Sequence, residues 1–237
     1  MAQIHELFPG KYGAGERQEF SLEDRQYMAG AIDSNSWLNI NRTKTSYFLR
    51  LLVSRKERKR LDPLTTLFST NPYQARNGLW ILEANSDEAL RVLLNVYDFL
   101  RLVRPIAELG IQFQREKALA LRPKYSKRSV EEKRRDEEFA ARMHEAKRQL
   151  KSYDIGDKEL SFPYVAALFE QKMRDPYQDL YQLRSGNPSL IQKLHDQFGG
   201  MTYPKGSREP RIWRLPASER VAFEGEIGPH MRFLESE

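Results

Sequence analysis

Tyr27-Met28-Ala29-Gly30-Ala31-Ile32-Asp33 and Tyr164-Val165-Ala166-Ala167-Leu168-Phe169-Glu170 share one pattern: Tyr, an apolar residue, Ala, a small residue, two apolar residues and an acid. Each is followed by strand-like sequence, a short helix, a Trp-bearing strand and a closing helix. Trp80-x-Leu82-x-Ala84-x-Ser86 lines up with Trp213-x-Leu215-x-Ala217-Ser218, one residue shorter. The step from Tyr27 to Tyr164 is nearly the same as that from Trp80 to Trp213. A repeat of this size implies two similar half-domains packed on each other.

The 237 residues suffice for one large domain or two small ones with a true core. Lys and Arg number 39 against 33 Asp and Glu, a net charge of +6. A pI near 9.4 favours a polyanionic partner such as nucleic acid. The absence of cysteine removes disulfides, thiolate zinc sites and cysteine nucleophiles, and fits an intracellular, reducing compartment, cytoplasm or organelle matrix. His5, His144, His195 and His230 lie far apart and lack metal-ligand spacing. No apolar run approaches the roughly 20 residues that span a bilayer, so no membrane partner is expected. Met1 to Gly15 lacks a signal core.

Residues 1–20, with Pro9-Gly10 and Gly13-Ala14-Gly15, read as an irregular arm. The first repeat covers 21–121. Ser21 should cap a helix running to about Asp33, with Glu23 and Asp24 in its first turn. Trp37–Asn41 and Tyr47–Val53 read as strands, and Asp62-Pro63 starts a short helix. Asn77-Gly78 marks a hairpin into Leu79–Glu83. Ser86-Asp87-Glu88 opens a helix, with more helix from Ile106 to Leu121. Residues 122–158 are rich in Lys, Arg and Glu with few apolar side chains, which predicts a solvated helical connector. The second repeat, 159–237, repeats the plan: a helix capped by Ser161, a strand over 179–183, a helix from Asn187-Pro188 to Gly199-Gly200, a hairpin, and a last helix capped by Ser218.

Taken together, the motif, its repetition and the element order resemble the two-repeat LAGLIDADG homing endonucleases and maturases, in a degenerate form covering roughly residues 20–235. The resemblance implies an α+β fold: two pseudo-symmetric αββαββα-like repeats, one chain, a saddle of antiparallel sheets. The motif helices would pair at the centre, where Ala29, Gly30, Ala166 and Ala167 let two backbones approach. In the family, each motif helix ends in a carboxylate that holds divalent metal for phosphodiester cleavage. The matching positions here are Asn35, neutral, and Lys172, a cation, so no catalytic residue, metal or cofactor is expected. Asp33 and Glu170 fall at the family's earlier acidic position and read as structural. A register shifted by two residues would make them Mg²⁺ ligands, and would require shorter motif helices.

The saddle would grip nucleic acid. Strand alternation turns Asn39, Asn41 and Arg50 outward, with Arg42 and Lys44 in the adjoining turn. Gln74 and Arg76 are expected on the third strand. The run Arg55, Lys56, Arg58, Lys59 and Arg60 would line the rim. In the second half Gln182, Arg184 and Arg214 alternate outward, and Lys205 and Arg208 lie in the last hairpin turn. Lys124, Lys127 and Arg128 begin the connector. Such side chains contact phosphates and base edges. Asp175-Pro176, where a strand is expected, predicts a truncated second sheet. The function expected is nucleic-acid binding without cleavage by a monomer with an internal pseudo-twofold. RNA is preferred: an intron RNA held in maturase fashion, or ribosomal RNA in a ribonucleoprotein assembly. The rivals are an active DNA homing endonuclease, a DNA-binding regulator and a basic subunit that contacts only protein.

Overall fold

The computed structural model describes residues 19–120, 128–172, 181–204 and 210–232. Ser21 Oγ accepts from the Asp24 N–H at 3.0 Å and Asp24 accepts from the Ser21 N–H at 3.2 Å, a capping box. It opens α1, Leu22–Asn35, two residues longer than expected. β1 (Ser36–Arg42) and β2 (Tyr47–Arg55) follow, then a 3₁₀ turn (Arg58–Leu61) and α2 (Asp62–Phe68). β3 (Tyr73–Gln74) and β4 (Trp80–Asn85) form the expected hairpin, where Gly78 takes φ 81°. α3 (Ser86–Val96) and α4 (Arg104–Leu119) close the first half.

After the connector helix α5 (Val130–Gln149), the plan recurs as α6 (Phe162–Lys172), β5 (Tyr181–Arg184), α7 (Pro188–Phe198), β6 (Met201–Pro204), β7 (Pro210–Leu215) and α8 (Ala217–Ile227). Asn187 caps α7 through its side chain, which accepts from Leu190 N–H at 3.0 Å. Pro216, not Ser218, stands at the N-cap of α8, so Ser218 lies inside its first turn.

Both sheets are antiparallel, in the orders β1-β2-β4-β3 and β5-β7-β6 among the described residues. Asp175-Pro176, on which the truncation rested, lies outside the described residues, as does Asp179. Strand alternation is strict. Leu38, Ile40, Leu49, Leu51, Val53, Leu82 and Ala84 are buried under the first sheet, and Leu183, Trp213 and Leu215 under the second. In the second half Phe169 and Phe223 meet edge to face at 5.1 Å, beside Trp213.

α1 and α6 pair at the centre and are buried almost all round. A Cβ on Gly30 would overlap the Tyr164 carbonyl oxygen and lie 3.1 Å from Ala167 Cβ. Glycine is therefore required at the crossing for steric reasons. The connector departs from its solvated reading: Asp136, Phe139 and Met143 are buried, Phe139 packs on Phe113 of α4 at 5.8 Å, and α5 lies along α4 and β1. A stripe of three residues at i, i+3 and i+7 is too narrow to stand out in so charged a segment, yet suffices to dock it.

Candidate nucleic-acid interface

Midway along the central pair the motifs interlock. Tyr164 Oη donates to Asp33 Oδ2 at 2.7 Å, and Tyr27 Oη donates to Glu170 Oε2. Each motif's tyrosine thus reaches the acid of the other. Asp33 also accepts the N–H groups of Arg101, Leu102 and Val103 at 2.6, 3.1 and 2.8 Å. These three residues lead into α4, and the last, Val103, is its N-cap residue and supplies no capping side chain, so a carboxylate from another helix pins the approach to α4. Glu170 Oε1 accepts from Arg232 N–H at 2.5 Å, and the Arg232 guanidinium lies 4.3 Å from the Tyr27 ring centroid. Burial raises the Asp33 carboxyl above its ordinary range against these hydrogen bonds, and raises both tyrosines.

The helix ends differ from the middle. α1 runs to Asn35 and α6 to Lys172. Asn35 Nδ2 donates to Ser54 O at 3.2 Å. β2 continues through Arg55, and alternation carries that residue inward, where it is 5% exposed. It donates to the carbonyls of Ala31 (2.8 Å), Asn35 (3.1 Å) and Ser54 (2.7 Å) and to Ser34 Oγ (2.9 Å). Arg55 thus caps the C-terminus of α1 and is no rim residue, a correction to its expected role. Burial, with the like charge of Arg60, lowers its pKa to about 10. The 3₁₀ turn buries Leu61 and swings Arg60 back, so Arg60 Nη1 donates to Glu170 O at 2.5 Å. A divalent metal needs several hard oxygen ligands. The end of α1 presents an amide and Arg55, and Arg60 folds onto the last turn of α6, while Asp33 and Glu170 are engaged above, so these residues fit such a metal poorly.

The outer faces collect most of the remaining candidates. Asn39, Asn41 and Arg50 lie on the outer face of the first sheet, and Arg42 and Lys44 are exposed at its end. Arg50 is not open to solvent as a lone cation. Its Nε and Nη2 grip Glu83 at 2.9 and 2.8 Å, which Asn85 Nδ2 and Tyr73 Oη also donate to at 2.9 and 2.8 Å. Burial would raise Glu83, but the three donors together hold it below the usual range. Lys56, Arg58 and Lys59 are exposed beyond β2, Arg58 stacking 5.6 Å over Trp80. Gln74 sits on β3, which ends there, so Arg76 falls in the turn. Gln182, Arg184 and Arg214 share the outer face of the second sheet. Arg128 is a correction: it pairs with buried Asp136 and anchors α5. Lys124, Lys127, Lys205 and Arg208 lie outside the described residues.

Three exposed aromatic rings on these faces escaped the sequence reading: Trp37, Tyr73 and Tyr203. The alternation that turns Asn39 outward also turns Trp37 outward, a signal available in the sequence. Lys147 of α5 also escaped it. It lies 4.9 Å over the Trp37 ring and donates to Asn39 Oδ1 at 3.1 Å, and burial lowers its pKa to about 8.

No protein-family model and no curated protein matches the chain by sequence. Solved structures do match. The LAGLIDADG homing endonuclease I-GzeII, in complex with its DNA target, aligns over 86% of this chain and 83% of its own, with TM-score 0.64 and 11% identity. The LAGLIDADG meganuclease I-AabMI, bound to uncleaved DNA, aligns over 88% and 85%, with TM-score 0.60 and 13% identity. With two sheets and six further helices disposed about a central helix pair among the described residues, this chain has the two-repeat fold of the LAGLIDADG homing endonucleases.

Proposed function

We propose that this protein binds nucleic acid without cutting it, and that its target is structured RNA. The observation that carries this reading is the chemistry at the ends of α1 and α6. Arg55 and Arg60 donate to the terminal turns there, Asn35 and Lys172 stand last, and the acids two residues earlier accept hydrogen bonds from tyrosines and backbone. Cleavage by a two-metal route needs carboxylates that converge on the ions. Helices that run on to Asn35 and Lys172 speak against a shifted metal site, which needs them to end sooner. A net charge of +6 and the exposed cations Lys56, Arg58 and Lys59 support a phosphate-contacting surface. The neutralised Arg50 and the apolar residues on the outer faces favour recognition of shape and unpaired segments over base edges in a duplex groove. In this reading the protein acts as a monomer, inside a ribonucleoprotein or as a maturase-like factor, and requires no cofactor.

Ultraviolet crosslinking in cells, followed by sequencing of the bound nucleic acid, tests the target; recovery of RNA is expected. Incubating purified protein with crosslinked-site duplex DNA and Mg²⁺ tests the chemistry, and specific cleavage there would refute the non-cutting reading. The second reading is a DNA-binding protein. It is favoured by the two structural neighbours, both held on DNA. Recovery of one defined duplex instead of RNA would establish it.

A further inference from the structure

The outer face of the first sheet carries an apolar diagonal. Trp37 on β1 lies opposite Leu52 on β2, and Tyr73 on β3 lies opposite Ile81 on β4. Ile81 pairs with Ser54, two residues along from Leu52, so the four side chains run from one edge of the sheet to the other. Leu52 and Ile81 are half-buried, while Trp37 and Tyr73 are 42% and 46% exposed. Both rings are held in place. The Lys147 ammonium sits against Trp37, and Tyr73 is tied by its hydroxyl to Glu83. The second sheet repeats the device. Tyr203, 36% exposed, packs against the Arg214 guanidinium at 5.3 Å, beside exposed Met201. Exposed rings fixed by a cation or a hydrogen bond lose little freedom when a flat ligand stacks on them. Lys56, Arg58 and Lys59 beyond β2 and Lys44 beyond β1 surround this face with positive charge.

We propose that Trp37 and Tyr73 on the first sheet, and Tyr203 on the second, are stacking platforms for unpaired bases of an RNA strand. A base inside a duplex offers only its edge, whereas an unstacked base offers a π-face that an aromatic ring can meet. The surrounding cations match the strand's phosphates. This rests on the nucleic-acid reading above and adds to it the structural class of the target.

The test follows tryptophan emission and binding with a short unstructured RNA, the same RNA annealed to its complement, and the corresponding DNA duplex. The unstructured RNA should quench emission, and Trp37→Phe should abolish most of that quenching while retaining affinity. Trp37→Ala should weaken the unstructured RNA about tenfold and leave both duplexes within about twofold. The inference is overturned if Trp37→Ala leaves the unstructured RNA within about twofold, or weakens the duplexes equally. It is also overturned if Trp37 is covered by a copurifying protein while RNA binds elsewhere. In each of these cases RNA binding itself survives. Failure of all three probes to bind at low salt would instead remove the nucleic-acid reading, and this inference with it.

Discussion

In the middle of the central helix pair, Tyr27 and Tyr164 each donate to the acid of the opposite helix; at the ends of the same helices Asn35 and Lys172 stand where one repeat no longer mirrors the other. The middle is conserved between the halves because it holds them together. Its acids also satisfy backbone donors, those of Arg101 to Val103 just before α4 and that of Arg232 after α8. The ends are held differently: among the described residues Arg55 and Arg60, both of the first repeat, donate to the last turn of α1 and of α6 respectively. Residues that assemble the dyad stayed alike in both motifs, and residues at the exit of the dyad diverged.

The strongest way to break the symmetric middle is steric. Gly30→Val should destabilise the protein by about 3 kcal/mol or more, because the added carbons meet the Tyr164 backbone, which cannot move aside as a side chain would. Gly225→Ala, on α8 with nothing within 4 Å, should change stability by no more than about 1 kcal/mol. Denaturant unfolding of both variants measures the contrast. Tyr27→Phe and Tyr164→Phe each remove a buried hydrogen bond to a carboxylate and should each cost about 1.5–3 kcal/mol. Equal losses would sharpen the symmetry, and no loss in either would break it.

The asymmetric ends respond to charge. Arg55→Met should cost about 2 kcal/mol, since several carbonyl acceptors at the end of α1 lose their donor together. Arg55→Lys should restore little, because an ammonium cannot reproduce the planar fork. On the outer face, Glu83→Gln removes the anion that neutralises Arg50. It should strengthen polyanion binding a few-fold and steepen the salt dependence by about one phosphate contact, as a salt titration would read.

The smallest effect is the pH dependence at Lys147. Its folded pKa, about 8, lies below its ordinary value of 10.5, so between these pH values the unfolded chain binds more protons than the folded one. Stability of the parent relative to Lys147→Gln should therefore rise from pH 8 to 10.5, by under about 1 kcal/mol because the group is half-exposed. A flat difference across that window would mean that Lys147 is not held against Trp37.

The repeat, its two central helices, the hairpins and the strand faces were all legible in the sequence, because each depends on local periodicity or on turn chemistry. Tyr27 and Tyr164 stand six residues before their acids in both motifs. That spacing marks them as equivalent, yet nothing local says that each serves the other helix, since the crossing of α1 over α6 decides it. Arg55 reads as the head of a basic run; only the tertiary structure turns it under the sheet, because β2 continues two residues further and α1 ends above it with open carbonyls. The same holds for Arg128, which a buried aspartate claims, and for α5, whose buried Phe139 and Met143 find their partners on α4. Local sequence determined which segments are helix or strand and which side of each is apolar. Long-range packing decided which charged groups are spent on the protein's own backbone and which remain for a partner, since a charge's role depends on what lies within a few ångströms of it in space.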